Sequence, residues 1–391
     1  MNYVNPAAHD HTARARELGP AIEAAADEIE RTQRIPKTLL SQLHAARLCR
    51  MLLPHSVDGD EVQPWLYLRA VEEISRHDGS VGWNIFVANS SALIAPFLPP
   101  ESMRAIFADP CAVIAWGPPN ESKATAVPGG YRVSGTWSFA SGCRQATWMG
   151  AHCHVVEPDG SLRLNAAGRP TTRTLLCPVS QATLLEDTWN VIGMRGTMSG
   201  AYRFDDVFVP EAFSATREDP TLRREPGRLY AYPMQGLYAV GVSGVAMGIA
   251  RAMLDAFEEL AARKTPRNLT RLADNAVVQS NVAQMEALLG AARAYLVETL
   301  SGIWKADESW VIDVPSRARL RLACAFAIQT AEAVADYAYK AAGVDAIFLG
   351  TAFERRFRDI HTLSQQIQSR TAHFESVGQI MLGIEPPGTF L

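Results

Sequence analysis

Gly129-Gly-Tyr-Arg-Val-Ser-Gly-Thr-Trp-Ser-Phe-Ala-Ser-Gly-Cys143 is the stretch on which the fold turns. Tyr131, Val133, Gly135 and Trp137 alternate with Arg132, Ser134, Thr136 and Ser138. That is the period of two of a half-buried strand, whose successive side chains point to opposite faces. Pro128-Gly129-Gly130 is a turn signal just ahead of it. The strand ends in small, hydroxyl-bearing residues beside Trp137 and Phe139. Such an end can lay an aromatic ring on a planar ligand and offer backbone N–H and Ser141 Oγ to its polar edge. It can equally close a strand over a buried aromatic pair.

Working outward, Trp148–Val156, Thr172–Cys177 and Tyr202–Val209 read as further strands, punctuated by Pro, Gly and Asp as in a compact antiparallel barrel or sandwich. This middle β-domain runs over 111–215. Before it, 1–110 is helical: Ala13–Arg34 is rich in Ala, Glu and Arg, Pro36 opens a second helix, and Val71–His77 and Met103–Phe107 continue the character. After it, 216–391 is helical again. Val282, Met285, Leu289, Ala292 and Leu296 share one stripe, and Leu320, Cys324, Ala327, Ala331 and Val334 another. Helices, then strands, then a helix bundle is a multi-domain α+β order, not a doubly wound parallel sheet. Tyr238–Ala250 is the longest small-apolar segment; it is shorter than the ~20 residues a bilayer span takes, and its Gly244-x-x-x-Gly248 predicts close helix packing. The Ala- and Gly-rich helices 238–262 and 316–342 are expected to pack against a second copy of the chain.

The chain has 391 residues, 48% hydrophobic, with a net charge of −4. That balance gives no electrostatic reason for nucleic acid or an anionic membrane as partner. Six scattered cysteines form no C-x-x-C pair and read as reduced thiols of a cytoplasmic protein. The first twenty residues carry no apolar run and so no secretory signal. There is no G-x-G-x-x-G, P-loop, G-x-S-x-G or H-E-x-x-H motif. His152-Cys153-His154 puts two histidines on one strand face without the third and fourth ligands a zinc site needs, so no metal is expected.

The 129–143 stretch resembles the mid-domain signature of two-component flavin monooxygenases, the 4-hydroxyphenylacetate hydroxylase oxygenase group, which share the acyl-CoA dehydrogenase fold. Trp189-Asn-Val-Ile-Gly-Met-Arg-Gly-Thr-Met-Ser199 with Asp206-Val-Phe-Val-Pro-Glu211 resembles the end of their β-domain. Leu237–Ala262 resembles the first bundle helix, Gln279 with Ala283 the next, and Glu354-Arg-Arg-Phe-Arg-Asp359 the start of the last. The resemblance implies an N-terminal helical domain, a middle β-barrel or sandwich and a C-terminal four-helix bundle. It implies an oxygenase that takes reduced FMN or FAD from a separate flavin reductase, adds dioxygen at flavin C4a, and oxygenates a small aromatic or heteroatom-bearing compound. It further implies a homo-oligomer, dimer or tetramer. Trp116, Phe139 and Ser141 would lie against the isoalloxazine, with Thr197, Gln279, Gly343 and Arg263 completing the cofactor site and Arg263 reaching the flavin phosphate from a neighbouring subunit.

Two positions depart from the pattern. The oxygenases carry a histidine as base eight residues after the Arg of the Arg-Asp pair; here that place is Gln366, which does not titrate near neutrality. Acyl-CoA dehydrogenases often carry their catalytic Glu one place later, which is Ile367. His361 is the remaining candidate base. Asp345 stands near the expected cofactor end of the bundle, where a carboxylate would repel phosphate unless it turns away. The rival readings are an acyl-CoA dehydrogenase and a non-catalytic paralogue.

Overall fold

A computed structural model describes residues 10–166, 168–216, 219–306 and 311–384. The chain opens with α1 (His11–Thr32), α2 (Lys37–Ala45), α3 (Pro64–His77), α4 (Gly79–Ala92) and α5 (Pro100–Phe107). In α1, Ala15, Ile22, Ala26 and Ile29 fall on the buried face, and Asp10 accepts from Ala13 N at the N-terminus, relieving one of the unpaired first-turn donors. Helix α4 is buried at every position. It therefore has no apolar stripe to read, and its only sequence signal is the cap at Asp78, whose Oδ1 accepts from Val81 N at 2.9 Å.

The strands are β1 (Ile114–Trp116), β2 (Lys123–Val127), β3 (Gly130–Ala140), β4 (Trp148–Val156), β5 (Thr172–Pro178), β6 (Thr183–Leu184), β7 (Gly200–Pro210) and β8 (Ser214–Ala215). They form one eight-stranded sheet in the order β6-β7-β3-β2-β4-β5-β8, with β1 beside β4. The sheet is mixed where an antiparallel one is expected from the sequence. The β2–β3 hairpin carries the chain back before β4 begins, so β1 and β2 both run parallel to β4. Tyr131, Val133 and Trp137 are buried against Tyr202, Phe204 and Val209 of β7, as the period-two pattern requires.

The bundle is α6 (Met234–Arg263), α7 (Ala276–Ala306), α8 (Val314–Ala342), α9 (Glu354–Leu363) and α10 (Ala372–Met381). At 30 residues, α6 extends well beyond the apolar segment read from the sequence and is long and apolar enough to cross a bilayer by length and composition. It is instead largely enclosed by α3, α4 and α8. Its small residues serve contacts inside the chain. A Cβ on Gly244 would meet Val71 Cγ1 at 3.0 Å and Leu68 O at 3.1 Å, and one on Gly248 would lie 2.6 Å from Ser75 Cβ. The expected use of that face by a second copy is corrected accordingly: α3 already occupies it. Gln366, placed by the resemblance on the last helix, lies beyond the end of α9 in a short turn that leads to α10.

Candidate functional site

Strand β3 ends irregularly. Its pairing with β7 slips between Trp137 and Ala140, and Phe139 adopts φ 62°, a left-handed backbone that a bulky residue seldom takes. Period two would send Phe139 inward with Trp137; the slip turns it out. Trp137 is fully buried and stacks on Tyr202 at 5.5 Å, whereas Phe139 is 63% exposed and meets Trp189 edge-on at 6.1 Å. The two aromatics thus separate into a core residue and a surface ring beside the hydroxyls that follow.

Those hydroxyls form a line. Ser141 Oγ lies 2.6 Å from Ser199 Oγ, which lies 2.7 Å from Thr197 Oγ1, and Thr197 Oγ1 donates to Met194 O at 2.8 Å. Ser141 Oγ also accepts from Trp83 Nε1 at 2.9 Å. Beside them Asn84, 3% exposed, donates through Nδ2 to Ser80 O and Gly196 O, while its Oδ1 has no partner among the described residues and would lie 3.2 Å from a Cβ on Gly142. An exposed ring, a row of hydroxyls and an open buried acceptor suit a planar, polar-edged ligand such as an isoalloxazine. Trp116 lies on β1, where it is edge-on to His152 at 5.0 Å; Gly117, next to it, packs against the β3 backbone at Ser138, and His152 Nδ1 is 2.8 Å from Thr174 Oγ1.

The segment 189–199 is held from several sides. Met194 N donates to Asp359 Oδ1 at 2.5 Å, Arg358 Nη1 donates to Ile192 O at 2.6 Å and to Glu30 Oε1 at 2.7 Å, and Gln33 Nε2 donates to Trp189 O at 3.0 Å. The Arg358-Asp359 pair of α9 is thereby a clamp on the turn that presents Thr197. Asp359 is 3% exposed. Burial first, and then the neighbouring Asp78 carboxylate, push its carboxyl up to about 7, against the lowering effect of Met194 N–H.

A ladder of rings leads from Ser141 into the bundle. Trp83 meets Phe86 at 4.8 Å, Phe86 meets Tyr238 at 4.7 Å, and the Gln366 side chain lies beside the Tyr238 hydroxyl. Gln366 Oε1 accepts from Gln368 N at 2.7 Å. Burial raises the Tyr238 phenol far above its ordinary range, so it stays neutral around pH 7 as a hydrogen-bonding group rather than a base. His361 belongs to another neighbourhood: Nε2 is 2.9 Å from Asp336 Oδ1, Nδ1 is 3.5 Å from Glu332 Oε1, and the ring meets Phe357 at 4.3 Å. The sequence does not single out Trp83 and Phe86, because α4 is buried throughout, nor Tyr238, because it opens the apolar run of α6, where an aromatic looks like core.

Arg263, Gln279 and Gly343 gather at one end of the bundle, at the C-terminus of α6, the start of α7 and the C-terminus of α8. Arg263 is exposed, and Gln279 Nε2 donates to Ala273 O at 2.8 Å. Asp345 is paired with Lys264, whose Nζ also donates to Ala342 O at 2.6 Å, so its charge is answered within the chain. Around this end Leu269, Val277, Val344, Phe348 and Leu349 are more than 60% exposed.

Residues 14–99 match the family model described as acyl-CoA dehydrogenase, N-terminal domain, and residues 240–370 match acyl-CoA dehydrogenase, C-terminal domain. The chain is 29% identical over 385 residues to indole-3-acetate monooxygenase of Pseudomonas putida, covering 95% of each. It is 26% identical to the oxygenase component of an FADH(2)-dependent resorcinol hydroxylase of a Rhizobium species, covering 94% of this chain and 93% of that one. In fold it is similar to XiaF from Streptomyces sp., solved with FADH2 and glycerol: TM-score 0.88, 23% identity, 97% of each chain.

Proposed function

Because the chain belongs to the acyl-CoA dehydrogenase family, we propose from its site that it works as the oxygenase of a two-component flavin-dependent monooxygenase acting on a small aromatic or heteroatom-bearing compound. The observation that carries this reading is the continuous path from Phe139 and the Ser141–Ser199–Thr197 hydroxyls, through Trp83 and Phe86, to Tyr238 and Gln366. It joins a surface fitted to a flavin to an aromatic-lined approach without a carboxylate base. The named relatives, which act on indole-3-acetate and resorcinol, support the same substrate class.

Reduced FMN or FAD, delivered by a separate reductase, would supply the oxygen chemistry when bound. This chain's share is positioning and the exclusion of water. Phe139 would lie against the ring system, and Ser141, Thr197 and the open Asn84 Oδ1 would meet its polar edge. Trp83, Phe86 and Tyr238 would wall the substrate in a dry pocket. Arg263, Gln279 and Gly343 make no contact with the Ser141 cluster inside one chain among the described residues. We therefore assign them to the cofactor site of a second copy, in a homodimer or homotetramer that also covers the exposed apolar residues of that bundle end. An exposed Arg suits a flavin phosphate through its bidentate fork. All six cysteines are free, five of them buried, which agrees with a cytoplasmic setting.

The acyl-CoA dehydrogenase reading is tested by mixing the oxidised flavin complex with acyl-CoA. No bleaching of the flavin is expected; reduction by acyl-CoA would select that reading. Replacing Ser141 with Ala strands the Trp83 N–H and removes a contact to the cofactor edge, each a neutral hydrogen bond of about 0.5–1.5 kcal/mol. The expected result is less product per flavin oxidised and more hydrogen peroxide released. Unchanged coupling would reduce the motif to a structural role.

Neither Gln366 nor a neutral Tyr238 takes up a proton near pH 7, and burial holds the neighbouring His373, whose Nε2 is 2.8 Å from Ile367 O, below the ordinary imidazole range, so the substrate is one already nucleophilic, such as an indole, an amine, a sulfide or an electron-rich ring. In single turnovers started from enzyme loaded with reduced flavin, product formation should follow no enzyme ionisation between about pH 6 and 8, where a histidine titrates. His361→Ala should stay within a few fold of the parent. An inflection in that window, lost in His361→Ala, would make His361 the base.

A further inference from the structure

Arg321 of α8 is 2% exposed. Its Nη1 donates to Gln368 Oε1, while Nε and Nη2 are buried without any hydrogen-bond partner, and Arg321 makes no ion pair among the described residues. Nε and Nη2 form the side-on edge of a guanidinium, the fork that grips a carboxylate with two parallel hydrogen bonds. Arg50, the other guanidinium among the described residues that is only 2% exposed, is treated quite differently. Its nitrogens donate to the carbonyl oxygens of Asp58, Asp109, Val57 and Phe107, and Asp58 supplies a carboxylate 3.8 Å away. A buried cation with an unfilled bidentate edge is costly, and a fold that retains one has a use for it.

Its position indicates the use. Gln368, which holds Arg321, donates through Nε2 to Gln235 Oε1 at 3.0 Å and through its backbone N to Gln366 Oε1 at 2.7 Å. Gln366 in turn lies beside the Tyr238 hydroxyl. Gln235 and Tyr238 are three residues apart on α6, a rise of about 4.5 Å that puts them on one face, so the Gln368 cluster that holds Arg321 adjoins the aromatic wall. Gln235 is exposed, which leaves the cluster only one side chain below the surface.

We infer that Arg321 is the anchor for a carboxylate on the substrate, held through Nε and Nη2, and that the substrate is an aromatic acid. This deepens the reading of the site as that of an aromatic oxygenase and rests on it. The carboxylate fixes one end of the molecule at Arg321 while the ring lies along Tyr238, Phe86 and Trp83. Gln368 keeps the third nitrogen satisfied and links the anchor to Gln366.

The test compares indole-3-acetate with its uncharged isostere indole-3-acetamide, by calorimetry on the protein loaded with flavin. A charge-assisted pair gives the acid an advantage of about 10- to 100-fold in dissociation constant. Arg321→Met should remove that advantage by weakening the acid far more than the amide, which loses only a neutral acceptor's bond, and should leave the affinity for flavin unchanged. Arg321→Lys keeps the charge but not the fork and should keep only part of the advantage; it carries the test alone if the Met variant does not fold. Equal binding of acid and amide, binding of neither, or an advantage that survives both substitutions overturns the assignment. Flavin binding by the same samples separates the two readings: its absence in the parent protein sinks the oxygenase itself, whereas normal flavin binding without acid preference sinks only the anchor.

Discussion

The free energy of unfolding is expected to fall as pH rises from about 4 to about 7, and Asp359→Asn is expected to flatten that slope. The folded chain holds the Asp359 carboxyl at about 7, against about 3.9 in the unfolded chain. Between those values the folded state binds the proton and the unfolded state does not, so stability declines with rising pH across the window and levels off above it. The integrated effect for one such group is on the order of 4 kcal/mol. Asn retains an acceptor for Met194 N–H and abolishes the titration, so only the pH dependence should change. Asp60 works in the opposite sense. His11 and Arg47 hold its carboxyl at about 2 despite burial, and its contribution is lost only as pH falls below about 4, outside the Asp359 window. Chemical denaturation at stepped pH values measures both. A parent protein whose stability rises between pH 5 and 7, or an Asn variant with the parental slope, would contradict the assignment.

Gly193→Ala is expected to unseat the cofactor turn. A Cβ there would fall inside contact distance of the Arg358 carbonyl and within 2.7 Å of Asp359 N. Backbone cannot rotate away as a side chain can, so α9 and the 193–197 turn must separate. Overpacking of that kind costs about 1–3 kcal/mol. Separation also lengthens the Met194–Asp359 hydrogen bond and displaces Thr197, so flavin binding should weaken together with the melting temperature. Gly290→Ala, where no atom lies within 4 Å, is the control and should leave flavin affinity intact. A Gly193→Ala protein that binds flavin as tightly as its parent would show that the turn does not position the cofactor surface.

The arrangement of helices, strands and helices was legible because it rests on period, and β3 shows the limit of that reading. Alternation places Tyr131, Val133 and Trp137 in the core correctly, yet it cannot foresee that a slip after Trp137 turns Phe139 outward, because a bulge is a property of the β3–β7 pairing and not of β3 alone. The same limit hides α4. An all-buried helix carries no stripe, and Trp83 and Phe86 acquire their place only when Ser141 and Tyr238 arrive from distant parts of the chain. Ser141 and Thr197 lie 56 residues apart in sequence and come together through Ser199. His361 is singled out in the sequence by its residue type and its place five residues before Gln366, and the carboxylates of α8 that hold it are outside any local pattern. The mixed sheet was missed for a related reason, since the direction of a strand relative to its neighbour is set by the connection and not by the residues within it.

The most direct test supplies the protein with photoreduced flavin and an electron-rich aromatic such as indole or indole-3-acetate, admits ¹⁸O₂, and analyses flavin and product together. The expected result is re-oxidised flavin and a product carrying one ¹⁸O atom, with little hydrogen peroxide. Re-oxidation that yields only hydrogen peroxide across a panel of phenols, indoles, amines and sulfides, or no retention of reduced flavin by the protein, would contradict the oxygenase reading.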